Sequence, residues 1–195
     1  FDKTVENTYQ KALQLSIKNN DQRKVELINS NIIFNNLYNW KLSEEEIFNR
    51  SCQWINNFNK KYELKEIVSK LNRDKIDTNR KIRIGYISCD FMTHPVGYMF
   101  ESILKNHNTD KFDIFCYDHS DPSKSSNDPI SKRLRSYENA QWYQIFNKTD
   151  DELLNLMVND DLDILVDMMG HTRNNRMYVL WYKPARIMIS YFAYP

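Results

Sequence analysis

The sequence predicts an α/β fold: a helical N-terminal arm followed by a parallel sheet with helices on both faces. Three observations carry this expectation. From Lys81 onward, short apolar runs alternate with helix-length stretches, the pattern of successive βαβ units. Two of those runs, Ile82-Arg-Ile-Gly-Tyr-Ile87 and Leu162-Asp-Ile-Leu-Val166, are apolar enough for strands covered on both faces. Before residue 80 the apolar residues recur at helical spacing instead.

Val5 to Asn19 reads as a first helix, and contains Tyr9-Gln-Lys-Ala-Leu-Gln-Leu15. A second helix runs from Asp21 to about Trp40, with Val25, Ile28, Ile32 and the Phe34/Leu37/Tyr38 set inward. A third starts at Ser43, whose spacing to Glu46 is a capping box, and carries Ile47, Phe48, Cys52, Ile55 and Phe58. Asn59 to Arg80 is mostly polar, with Leu64, Ile67, Val68 and Leu71 marking one more short helix before a boundary near residues 72–80. The sheet then begins with a strand at Ile82–Ser88. A helix over Pro95–Asn106 has proline in its first turn. Phe112–Tyr117 is a strand, Asp128-Pro129 opens a helix through Tyr137, and Trp142–Phe146 is a short strand. Thr149, with Glu152 three residues on, caps a helix to about Asn159; strands follow at Leu162–Met168 and Ile187–Phe192.

Composition excludes more than it identifies. With 195 residues, a formal net charge of +1 and interspersed acids and bases, the chain shows no nucleic-acid surface and no anionic-membrane footprint. No apolar run approaches the roughly eighteen residues of a membrane span, and no signal peptide is visible. Cys52, Cys89 and Cys116 lie far apart without a Cys-x-x-Cys, as expected of reduced thiols in a cytoplasmic protein. Glycine is the informative deficit. Average usage would give roughly fourteen, whereas the chain has three, Gly85, Gly97 and Gly170. They cannot build a Gly-x-Gly-x-x-Gly or Walker loop.

All strands of a parallel sheet point one way, so residues just past each carboxyl end share one rim. That rim collects Asp90 and His94, Asp118 and His119, Gly170-His171-Thr172, and Tyr194-Pro195. His94 precedes Pro95 at a helix start, where the dipole favours a neutral imidazole able to accept a proton or orient a hydroxyl. Asp90 can orient that ring or accept a proton itself. The residues alone equally allow His94 to be a helix cap, Asp90 a loop anchor, and Gly170-His171-Thr172 a turn glycine followed by capping groups. His107 and His119 read as solvated loop residues, and the four tryptophans as packing or interface residues. Asp161-Leu-Asp163 has the Asp-x-Asp form of metal-dependent sugar transferases, but it precedes a strand, on the opposite edge from the histidines.

The segment running from Asp90-Phe91 to His94-Pro-Val-Gly-Tyr98 is followed by Leu165-Val-Asp-Met-Met-Gly-His-Thr172, Asn175-Arg176, Lys183-Pro-Ala-Arg-Ile187 and Tyr191-Phe-Ala-Tyr-Pro195. In order and spacing, from about Asn36 to Pro195, these motifs resemble the N-terminal part of the catalytic domain of the O-linked N-acetylglucosamine transferase family. The likeness is strongest to its bacterial, SPINDLY-like branch. The resemblance implies a helical arm at 1–75, ending a tetratricopeptide repeat region, and at 76–195 a Rossmann-like sheet, the N-terminal half of a GT-B fold. It implies His94 and Asp90 as catalytic residues, with Pro95, Gly170, His171, Thr172, Tyr194 and Pro195 against substrate. It also implies a protein O-glycosyltransferase that moves N-acetylglucosamine from UDP-GlcNAc to Ser or Thr with inversion, without a metal or other cofactor. Its partners would be acceptor proteins or peptides and the nucleotide-sugar donor.

Ala193 stands where the family has the glycine of Gly-Tyr-Pro, adding a methyl where backbone approaches substrate. The family's donor-binding half, with its lysine and His-x-Asp-Thr stretch, has no counterpart here, so residues 1–195 are expected to be a fragment inactive alone. Two alternatives remain: a SPINDLY-like O-fucosyltransferase using GDP-fucose, and a non-catalytic protein-interaction remnant.

Overall fold

Every strand pairing among the described residues is parallel, and the strands stand in the order β3-β2-β1-β4-β5. The computed structural model describes residues 3–61 and 79–192. Its described elements are α1 (Lys3–Lys18), α2 (Gln22–Asn36), α3 (Glu44–Lys61), β1 (Ile82–Ser88), α4 (Pro95–Lys105), β2 (Phe112–Asp118), α5 (Pro122–Ser125), α6 (Pro129–Arg135), β3 (Ala140–Gln144), α7 (Asp150–Asn159), β4 (Ile164–Asp167), α8 (Met177–Trp181) and β5 (Ile187–Ser190). The helix expected around Leu64–Leu71 lies outside the described residues, as does most of the expected domain boundary.

The α/β reading holds, and the chain forms two compact units. In the sheet unit, β1 is central. The chain steps from β1 to β2 to β3 in one direction, then crosses back to β4 and β5 in the other. Right-handed crossovers therefore place the first helices on one face and the later ones on the other. On the first face, Phe100 and Leu104 of α4 and Ile130 and Leu134 of α6 cover Ile84, Ile114, Cys116 and Val166. On the second, Leu153, Met157 and Val158 of α7 and Val179 and Leu180 of α8 cover Ile87, Phe115, Tyr117 and Leu165.

Local chemistry sets the ends. Asp128 caps α6, with proline following. Thr149 and Glu152 form the expected capping box of α7, and Ser43 and Glu46 that of α3. β3 sits two residues earlier than the Trp142–Phe146 expected, because its limits are set by its pairing with β2: Ile114 meets Ala140 and Asp118 meets Gln144. Helix α2 ends at Asn36 rather than near Trp40, as Leu37, Tyr38 and Asn39 close tighter turns onto Phe34, Asn35 and Asn36. Its buried stripe is Val25, Ser30, Ile33 and Asn36, so Leu37 and Tyr38 are exposed instead of inward.

The helical unit is built from α1, α2, α3 and the segment His171–Asn175. Asn35 on α2 donates to the Tyr9 hydroxyl on α1. Among the described residues no helix is long and apolar enough to cross a membrane.

Candidate functional site

Strand order fixes where a site can form. β1 and β4 are direct neighbours, yet the chain leaves β1 towards α4 on one face and β4 towards α8 on the other. Loops that diverge from adjacent carboxyl ends leave a crevice, the topological switch point at which open α/β sheets hold ligands. After β1 this edge carries Asp90, His94 and Pro95; after β4 it carries Asp167 and Gly170.

His94 is the N-cap of α4, and its Nδ1 accepts from the backbone N–H of Val96 at 3.3 Å. A backbone amide can only donate, so the neutral ring keeps its proton on Nε2. In this arrangement Nε2 is a donor, not a base. The Asp90 carboxylate lies 3.8 Å from Nδ1, with the His94 side chain 44% and the Asp90 side chain 27% exposed, so a ligand can reach both. Beside them, the Cys89 thiol is pushed up to about 12 by burial and by the charge and hydrogen bond of Asp90, which makes it inert as a nucleophile.

The next two strand ends hold carboxylates of a different kind. Asp118, fully buried, accepts from the backbone and hydroxyl of Ser120 and from Arg135. Burial raises its carboxyl, against the pull of Ser120 and Arg135. Asp167 accepts from Met169 N and Gly170 N, each at 3.0 Å, which folds the turn after β4. Burial likewise raises its carboxyl, against those two bonds. The turn needs Gly170, whose φ of 53° lies in the left-handed region.

His119 is buried rather than solvated: its backbone N–H donates to Ser88 O, and its ring packs near Phe146. His107 is half-buried, with Nε2 2.8 Å from the Tyr86 hydroxyl; burial lowers it. Neither was legible as such in the sequence, because the partners lie on other elements.

His171 and Thr172 belong to the helical unit. Asn175 Nδ2 donates to Ser30 Oγ at 3.0 Å, and Ser30 Oγ lies 2.6 Å from His171 Nδ1. The Trp54 ring meets the imidazole edge-to-face at 5.1 Å. Burial pushes His171 down to about 4, so it is neutral at physiological pH. Arg176, quoted with Asn175 in the motif, turns into the sheet unit, where it pairs with Asp150 and donates to Ile145 O and Lys148 O. Tyr194 and Pro195 lie outside the described residues.

At the amino edge, Asp161 and Asp163 are taken up by cations. Arg80 and Arg186 bind both carboxylates, and Arg83 lies 3.6 Å from Asp161. Among the described residues no group of three or more His, Cys, Asp or Glu is placed to hold a metal ion.

Comparison with known proteins agrees with this fold. The family described as Glycosyl transferase family 41 matches residues 14–195. The chain is 31% identical over 122 residues to the probable UDP-N-acetylglucosamine–peptide N-acetylglucosaminyltransferase SPINDLY of Arabidopsis thaliana, covering 61% of this chain and 13% of that protein. The SEC protein of the same plant, with the same description, is 29% identical over 117 residues, 60% of this chain and 12% of its own. Among solved structures, a mutant of the Thermobaculum terrenum O-GlcNAc transferase superposes with a TM-score of 0.69 at 25% identity, over 85% of this chain and 30% of that one. The chain thus spans about an eighth of the length of these two plant relatives.

Proposed function

The chain belongs to glycosyl transferase family 41, and we propose from that membership that its β1–β4 crevice forms one wall of a protein O-glycosyltransferase active site. The observation that carries the reading is the accessible Asp90–His94 pair at the switch point of the sheet. The donor is a nucleotide sugar, UDP-N-acetylglucosamine, and the acceptor a Ser or Thr hydroxyl of a protein. That hydroxyl attacks the anomeric carbon from the face opposite the departing diphosphate, so the configuration inverts.

The geometry divides the work. Asp90, which can only accept when ionised, takes the hydroxyl proton; His94 offers Nε2–H to a substrate oxygen and so fixes its position. Gly170 lets the chain turn close to substrate, and Pro95 presets the first turn of α4. His171 and Thr172 remain proposed substrate contacts, with His171 Nδ1 beside Ser30 and its ring against Trp54. In this proposal the reaction uses no metal; the Asp-x-Asp pair at the other edge is bound by arginines. The helices at 1–75 act as an arm and the sheet at 76–195 as the catalytic part. Cys52, Cys89 and Cys116, none of them in a disulfide, suit the cytoplasm.

The test is kinetic, in a complete transferase carrying these residues. His94→Ala and Asp90→Asn should each lower kcat/KM by about 10²–10⁴-fold, while His94→Ala costs only about 1 kcal/mol of stability as a lost cap. Wild-type turnover at matched folded concentration in both variants overturns the reading. Running GDP-fucose beside UDP-N-acetylglucosamine identifies the donor.

A further inference from the structure

We infer that Asp128 is a positioning residue for the catalytic loop, acting from a different crossover; this rests on the function proposed for Asp90 and His94. Its Oδ1 accepts two backbone bonds at once. One, from Ser131 N at 2.8 Å, is the ordinary N-cap of α6. The other, from Thr93 N at 2.9 Å, reaches 35 residues back to the position before His94. Capping α6 requires only the first bond. The second ties the loop between β1 and α4 to the start of α6.

The rest of that loop is held from its own side. Phe91 is fully buried, with its ring 4.7 Å from Phe100 and 5.4 Å from Trp142. Asp90 N donates to Ser88 Oγ at 3.0 Å. Gly97 lies so close beneath the loop that a Cβ there would come 2.1 Å from Met92 O and 3.0 Å from Asp90 O. These contacts fix residues 90–92, and His94 is fixed as the cap of α4. Thr93 is the joint between the two, and Asp128 closes it. A freed Thr93 peptide would let the His94 backbone turn, and with it the direction in which Nε2–H points. A misplacement of about 1 Å in such a group is enough to cost about 10²-fold in rate.

Three variants separate the clamp from the cap. Asp128→Asn keeps the Oδ1 acceptor and both bonds. Asp128→Ser still caps α6, but its oxygen sits one atom too short for Thr93. Asp128→Ala loses both. In a complete transferase, Asp128→Ser should lower kcat/KM by about 10–100-fold, chiefly in kcat, with Asp128→Asn within a few-fold of wild type. In the 195-residue chain, the Thr93 amide should exchange on the order of tenfold faster in Asp128→Ser than in Asp128→Asn. Equal Thr93 protection in the two variants overturns the clamp whatever the kinetics. Faster exchange without a rate loss also overturns the positioning role. His94→Ala then tells which idea has failed: if it is inactive, only the Asp128 inference falls, and if it turns over normally, the site reading itself falls.

Discussion

Acid should unfold this chain partly through one histidine. His171 is 6% exposed, its Nδ1 lies 2.6 Å from the Ser30 hydroxyl, and its ring packs on Trp54. Protonation would bury a charge in this packed setting. Its pKa accordingly falls from 6.5 to about 4, with burial the cause. Between those values the unfolded chain binds more protons than the folded one. Stability is therefore complete above pH 6.5 and erodes as pH falls towards 4. The gap is worth about 3 kcal/mol in full and about 2 kcal/mol at pH 5. His171→Asn keeps an acceptor near the Nδ1 position but cannot titrate. Urea unfolding at pH 7, 6 and 5 should show wild type losing about 2 kcal/mol more than the variant between the ends of the series. The imidazole Cε1–H resonance of His171 should stay at its neutral shift down to pH 5. A titration midpoint near 6.5, or identical pH profiles for the two proteins, refutes the reasoning.

Three further outcomes follow from buried contacts. Asp163→Asn should cost about 3 kcal/mol in urea, because Arg80, Arg186 and the Arg83 amide converge on one carboxylate. Burial opposes that carboxylate's ionisation but the arginines outweigh it and depress the pKa, so the contribution should fade as pH drops below about 4. Gly97→Ala should cost about 2 kcal/mol or more and displace the loop, since the neighbour is backbone; a melting temperature equal to wild type counts against that contact. Arg135→Met should destabilise by about 2 kcal/mol, reduced from the fully buried case because Arg135 is 37% exposed. Adding Asp118→Asn should restore much of that loss, as neutral Asn needs no cation.

The sheet was legible because its signals are local. Ile82–Ser88 is the strand the sequence predicts, residue for residue, and the strands at 112–118 and 187–190 differ from expectation by one or two residues. Helix starts were legible for the same reason: Thr149 with Glu152, and Asp128 before Pro129, place acceptor and amide within four residues. Asp121-Pro122 carries the same signal and opens the short α5, which the sequence reading passed over. Burial was harder to read. His119 and His107 look like loop residues until Phe146 and Tyr86 are brought beside them by the fold. The motif Gly170-His171-Thr172 marks a turn correctly, but no periodicity reveals that Ser30 and Trp54, 141 and 117 positions earlier, receive the imidazole. Asp128 shows the limit most sharply. Its cap is a pattern of neighbours, whereas its bond to Thr93 depends on the β1–β2 pairing that aligns the two loops.

The two edges of the sheet use carboxylates in opposite ways, and that contrast bears on catalysis. At the amino edge Asp161 and Asp163 are bound by guanidinium groups, which hold β1, β4 and the approach to β5 together. A carboxylate so neutralised is a poor base, because its lone pairs are occupied and nearby cations stabilise its ionised form. At the carboxyl edge Asp118 and Asp167 are nearly as occupied, one by Ser120 and Arg135 and the other by two turn amides. Among the described residues the Asp90 carboxylate meets neither an arginine nor a turn amide; its neighbours are His94 at 3.8 Å and the Cys89 thiol. Accepting a substrate proton therefore breaks no ion pair that the fold depends on. His94 complements it by holding its acceptor nitrogen against α4 and leaving Nε2–H for a ligand. Among the described residues the structural carboxylates at both edges are paired, whereas Asp90 and the His94 Nε2–H, in the reading proposed above, are left at the switch point for a substrate.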